Sequence, residues 1–149
     1  DKKKPEQTTA DIEKCIQQKS YSQKNKNVQF IGYSFGADVL PFLLTRFPIA
    51  LQQRICSAVL LAPSGSTDFE IHWTDIFGTN RKRSMDVVSE INKISGIKLV
   101  HISSDEDGLD ESKIKLPGYI HQQLPGGHHF DGDVAELAKR ITAFSFSKN

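Results

Sequence analysis

No apolar run in this 149-residue chain approaches the roughly 18 residues needed to cross a bilayer, so no membrane-spanning helix is expected. Charge of one sign is also missing. Nineteen Lys and Arg stand against 18 Asp and Glu, a net charge of +1, which excludes a global basic field for nucleic acid. Basic residues gather only locally, at Lys2-Lys3-Lys4, from Lys19 to Lys26 and at Arg81-Lys82-Arg83, beside polar turn formers that mark solvated surface. Cysteine is scarce. Cys15 and Cys56 form neither a C-x-x-C pair nor a metal-ligand spacing, and they read as two buried thiols rather than a disulfide. The opening residues, Asp1-Lys2-Lys3-Lys4-Pro5, are too polar for a signal-peptide core, though a mature secreted protein would have lost that segment. There is no internal repeat and no long low-complexity tract.

What is present is an alternation of buried strands and amphipathic helices. Val28 to Tyr33, Ala58 to Ala62, Ile97 to Ser103 and Tyr119 to Leu124 are short apolar runs of strand length. Thr8-Thr9-Ala10-Asp11 opens a helix that turns Ile12, Cys15, Ile16 and the Lys19 stem inward. Phe35 to Phe47 is a second helix, kinked at Pro41 and closed by Pro48. Met85 to Ile94 is a third, ending at Gly96. Asp133 to Phe146 is the last, with Val134, Leu137, Ala138, Ile141 and Phe144 on one face. The β-α-β order predicts an α/β fold with a mostly parallel sheet flanked by helices. Between Ala62 and Ser84 the pattern is weakest.

The first run leads into Gly32-Tyr33-Ser34-Phe35-Gly36. Gly-x-Ser-x-Gly alone arises by chance in about one chain in twenty of this length. Its setting matters more, because a strand precedes it and a helix follows. That is the context of a nucleophile elbow, where the serine Oγ stands clear of the sheet. A side chain at Gly32 or Gly36 is expected to collide where the chain reverses. The Phe35 N–H, at the helix N-terminus, is placed to donate to a developing oxyanion.

Partners for Ser34 follow in the order Ser, acid, His that this topology requires. The third strand runs into Asp105-Glu106-Asp107, with Asp105 nearest the strand end. The fourth runs into Pro125-Gly126-Gly127-His128-His129, where either histidine could act as general base. The His128-His129 pair with Asp131 and Asp133 could alternatively form a metal site, but no other chelating cluster supports one. His72, His101 and His121 read as surface or strand residues. No cofactor is implied.

Three strings resemble the VirJ/AcvB family of bacterial virulence proteins, within the α/β-hydrolase superfamily: residues 5–11, residues 31–42 (Ile-Gly-Tyr-Ser-Phe-Gly-Ala-Asp-Val-Leu-Pro-Phe) and residues 124–133 (Leu-Pro-Gly-Gly-His-His-Phe-Asp-Gly-Asp). With Ala62-Pro63-Ser64 and residues 68–71 they cover nearly the whole chain. The resemblance implies a periplasmic domain tied to virulence and type IV secretion in plant-associated bacteria. In AcvB-like members it implies hydrolysis of lysyl-phosphatidylglycerol, an aminoacyl ester of a membrane lipid. It implies Ser34 as nucleophile and His128 or His129 as base. The family usually carries glycine where Ser103 stands. A complete fold of this kind also needs strands ahead of the nucleophile strand, one of whose loops supplies the second oxyanion donor. Residues 1–149 are therefore expected to be a single domain truncated at its N-terminal side, able to self-associate through an exposed sheet edge.

The leading expectation is a serine ester hydrolase of aminoacyl-phosphatidylglycerol. Asp38, Asp68, Glu70 and Asp131 are candidates to receive a cationic lysyl group. The alternative is a non-catalytic periplasmic adaptor for secretion-system or cargo proteins on the same fold. A third option is a small-substrate esterase or thioesterase with an acyl pocket near Trp73 and Phe77.

Overall fold

The computed structural model describes residues 4–19, 27–67 and 85–144. In chain order these form α1 (Pro5–Lys19), β1 (Val28–Tyr33), α2 (Phe35–Leu44), α3 (Ile49–Gln52), β2 (Ile55–Leu61), β3 (Ser66–Thr67), β4 (Met85–Asp86), α4 (Val87–Ile91), β5 (Lys98–Ser103), β6 (Ile120–Gln123) and α5 (Val134–Ala143). Short 3-10 turns occupy Glu111–Lys113 and Phe130–Gly132.

Four strands make one sheet in the order β1-β2-β5-β6, and every pairing is parallel. The central strands β2 and β5 are buried almost throughout, as a parallel sheet covered on both faces demands. Period-two alternation splits their side chains between two cores. Ala58, Leu60 and Leu99 pack with Leu40, Leu44, Val87 and Ile91 from α2 and α4, and α1 adds Ile12 and Ile16. Val59, Leu61, Val100 and Ile102 face the other way, toward Leu124, Phe130 and the Leu137, Ile141 and Phe144 side chains of the last helix and its end. Each fully buried aliphatic side chain contributes about 1.5–3 kcal/mol. In register, Tyr33 lies opposite Leu61, Leu61 opposite Ile102, and Ser103 opposite Gln123. The carboxyl ends of the strands thus align along one rim, where open α/β sheets carry their sites.

The four expected strands and the helical cover are present. Several local expectations are corrected. α2 ends at Leu44 rather than Phe47, and Pro48 caps a further short helix, α3, rather than ending helical structure. α4 spans only Val87–Ile91, because the Asp86 carboxylate accepts the Ser89 N–H as its N-cap while Met85-Asp86 pairs antiparallel with Ser66-Thr67. Val134 and Ala138 are exposed, since Leu137 and Ile141 carry the inward stripe of α5. Neither cysteine is buried: Cys15 lies exposed on α1, one position off the Ile12–Ile16 face, and Cys56 is half-buried with its thiol donating to the Val28 carbonyl. Of the basic runs, Lys2 and Lys3, Lys24 and Lys26, and Arg81-Lys82-Arg83 lie outside the described residues, as does the Lys19 side chain.

β5 and β6 also place His101 opposite His121. His101 is enclosed by the sheet, and burial, followed by the neighbouring His121, pushes its imidazole down to about 3. It is therefore neutral across the ordinary working range.

Candidate active site

Ser34 sits between the end of β1 and the start of α2 with φ 53° and ψ −120°. That backbone is strained for a residue with a Cβ. The strain is held by three backbone hydrogen bonds: Ser34 N–H to the Leu61 carbonyl at 2.9 Å, and Ala37 and Asp38 N–H to the Ser34 carbonyl at 2.8 and 3.1 Å. Gly32 makes the turn possible. A Cβ there would lie 2.5 Å from the Gly36 oxygen and 2.8 Å from the Ala37 Cα. Gly36 does not share this role: a Cβ there would meet nothing within 4 Å, which corrects the expectation that both glycines are sterically required. The Phe35 amide, next in line, has no acceptor among the described residues and stands at the helix start.

The imidazole of His128 reaches back over the rim, with Nε2 2.8 Å from Ser34 Oγ. This is the geometry of a serine whose proton a neighbouring base can take. His129 is directed elsewhere. Its Nδ1 lies 2.6 Å from the Tyr33 hydroxyl, which also donates to the His128 carbonyl at 3.2 Å. One hydroxyl proton serves both contacts if the His129 Nδ1–H donates to the Tyr33 oxygen. The Tyr33 ring lies 5.6 Å from the His128 ring and so braces the base from within the motif itself. Sequence reasoning missed this residue, although its place beside the nucleophile was the signal that could have found it.

The base loop is held by its backbone. Phe130 and Asp131 both take left-handed φ values, 52° and 51°, immediately after the histidines. The three acids of the preceding loop have separate duties. Asp105 accepts the Gly126 N–H at 3.1 Å and the Gln123 amide at 3.0 Å, while its own N–H donates to the Gly126 carbonyl. Glu106 accepts the His128 backbone N–H at 3.1 Å and lies against the Gly127 Cα. Asp107 accepts the N–H and hydroxyl of Ser104, both at 2.8 Å. Among the described residues no carboxylate hydrogen-bonds the His128 ring at Nδ1. The structure does not bring Asp105, the first-choice acid, to the imidazole, because both its oxygens are taken by the base-loop entrance.

Of the carboxylates expected to receive substrate, Asp38 is 3% exposed. Its two oxygens accept the Ser64 N–H and hydroxyl, each at 2.6 Å. It is a clasp between α2 and the loop after β2, which corrects its assignment as a substrate contact. Asp131 is exposed beside the base loop and lies close under Gly126. Asp68, Glu70, His72, Trp73 and Phe77 lie outside the described residues.

A parallel sheet with a strained serine at its rim and a histidine above it defines the α/β-hydrolase class of fold. Solved structures agree. The chain is similar to an esterase of Pyrococcus furiosus, with a TM-score of 0.61 at 19% identity, over 92% of this chain and 58% of that one. It is also similar to a lipase-esterase related protein of Clostridium acetobutylicum, with a TM-score of 0.62 at 14% identity, over 91% and 73% of the two chains. At these identities the likeness is one of fold, and the chain spans little more than half the length of the first. Residues 1–146 match the family described as bacterial virulence protein (VirJ), and the chain belongs to that family. No curated protein matches the sequence. Among the described residues no helix is long and apolar enough to cross a membrane.

Proposed function

We propose that this chain carries the catalytic machinery of a serine ester hydrolase that cleaves aminoacyl esters of phosphatidylglycerol, lysyl-phosphatidylglycerol foremost, in the periplasm. The observation that carries this reading is the 2.8 Å approach of His128 Nε2 to Ser34 Oγ at a strained strand-to-helix turn. VirJ membership and the esterase descriptions of the fold neighbours support it.

In the first step Ser34 Oγ attacks the ester carbonyl as His128 Nε2 takes its proton. The Phe35 N–H donates to the oxyanion. Collapse expels the lipid hydroxyl, which leaves with the proton from His128, and the aminoacyl group stays on Ser34. Water, deprotonated by His128, then releases the amino acid and restores the serine. Glu106, already on the His128 amide, is the carboxylate we assign to positioning the base. Asp105 anchors the loop that presents it. Asp131, exposed beside the base loop, is the carboxylate we assign to a cationic aminoacyl group.

Hydrolysis of lysyl-phosphatidylglycerol against its alanyl analogue tests the proposal. A marked preference for the lysyl lipid, abolished in Ser34→Ala, is expected. Equal rates remove the charge-recognition element, and full activity in Ser34→Ala removes the mechanism. A second reading, a non-catalytic adaptor for secretion or virulence cargo, draws on the lack of a carboxylate at His128 Nδ1 among the described residues. Failure of the folded protein to react with a fluorophosphonate would favour it.

A further inference from the structure

β5 and β6 run parallel with His101 opposite His121, so both imidazoles lie on one face of the sheet, ring centroids 4.7 Å apart. Glu111 opens the 3-10 turn Glu111–Lys113 and sets Oε2 against His121 Nδ1. One ligating atom from each of the three side chains lies within 4.8 Å of the others. A hydroxyl meets one nitrogen of each ring. Tyr119 Oη is 2.7 Å from His101 Nδ1, and Ser103 Oγ is 2.7 Å from His121 Nε2.

A second observation sets this cluster apart from an ordinary ion pair. His101 is 1% exposed, and its Nε2 is buried with no hydrogen-bond partner. Asp107 Oδ2, itself buried, stands 4.0 Å from that nitrogen, beyond hydrogen-bonding distance. An enclosed polar atom without a partner costs on the order of 1–3 kcal/mol, and native interiors carry few of them.

We propose that His101, His121 and Glu111 bind a divalent transition metal, Zn²⁺ by preference, in a site separate from Ser34 and His128. Two imidazoles and one carboxylate suit a borderline metal, whereas Ca²⁺ and Mg²⁺ take oxygen ligands. Tyr119 and Ser103 occupy the outer-shell role, fixing ring tautomer and orientation through one nitrogen of each histidine. In a tetrahedral site with bonds of about 2.0–2.2 Å, ligand atoms lie about 3.4 Å apart. Bringing the ligand atoms to that spacing is a rearrangement that Glu111 can supply, because its side chain is 50% exposed. The consequence is mechanical. The metal ties the segment around Glu111 to β5 and β6, the two strands that launch the acid loop and the base loop.

The test uses protein freed of metal by chelation and dialysis, titrated with Zn²⁺ alone against a chromophoric chelator, and with Co²⁺ for its visible spectrum. Uptake of one equivalent at micromolar concentration is expected, with the intense Co²⁺ bands of a four- or five-coordinate site. Binding should weaken by about 30-fold or more in Glu111→Gln, whose exposed position leaves folding intact, and in His121→Gln. His129→Gln should bind as the parent does. No uptake at micromolar metal overturns the proposal, as does uptake unchanged in Glu111→Gln or lost in His129→Gln. Metal binding is read without substrate, so its failure is distinct from failure of the hydrolase reading.

Discussion

Glu106 holds His128 by the backbone rather than by the ring: its Oε2 accepts the His128 N–H at 3.1 Å while Nε2 of the same residue meets Ser34 Oγ at 2.8 Å. The acid loop thus places the base by fixing the chain that carries it, and the Tyr33 hydroxyl grips the same residue at its carbonyl.

This arrangement ranks the two histidines. His128→Gln should lower ester hydrolysis by about 10³-fold or more, since among the described residues no other base reaches Ser34. His129→Gln removes only a bracing contact to Tyr33 and should cost less than about tenfold. Steady-state kinetics on one ester substrate separates the two, and a larger loss in His129→Gln would reverse the assignment.

The acids separate by kind of effect. Glu106→Gln should depress kcat by about 10²-fold with KM little changed, because the amide loosens the hold on the His128 backbone while substrate contacts stay. Asp105→Asn should leave kcat nearly in place while lowering stability, since its role is to accept the Gly126 N–H and the Gln123 amide. An unchanged kcat in Glu106→Gln would return the positioning role to another carboxylate.

Gly32 and Gly36 look equivalent in the motif but are not in the structure. Gly32→Ala drives a Cβ to 2.5 Å from backbone and should destabilise by about 3 kcal/mol or prevent folding. Gly36→Ala enters open space within α2 and should be neutral or stabilising by up to about 1 kcal/mol. Urea unfolding of the two variants gives the comparison directly.

Glu90 ties α4 to the end of α2. Burial pushes its carboxyl up, but hydrogen bonds from Lys93, Thr45 and Arg46 outweigh this and hold it below the ordinary carboxylate range. A depressed folded value means the stabilisation is present above the unfolded value of about 4.3 and is lost as pH falls through the folded one. Unfolding free energy should therefore drop on acidification below about pH 4.3. Glu90→Gln should flatten that part of the curve and cost on the order of 1–3 kcal/mol at neutral pH, less than a fully buried pair because Arg46 is partly exposed.

The parallel sheet and the Ser34 turn were legible because their signals are local: a buried run, a glycine-flanked serine and a helix in immediate succession. The choice between His128 and His129 was not. Adjacent residues of one type differ only in direction, and that direction comes from Tyr33 and from the left-handed backbone at Phe130 and Asp131. Likewise, three neighbouring carboxylates are interchangeable in sequence until the base loop folds onto them. Asp38 looked like a free acid near a helix start because Ser64, its partner, is distant in the chain. His101, Glu111 and His121 share no ligand spacing, since two strands and a turn bring them together.

Reaction with a fluorophosphonate, read by intact mass and by peptide mapping, is the most direct test of the Ser34–His128 pair. The account predicts a single adduct on Ser34, absent in Ser34→Ala and formed at least about 10²-fold more slowly in folded His128→Gln. No adduct on the folded parent protein, or labelling that persists unchanged in Ser34→Ala, would contradict it.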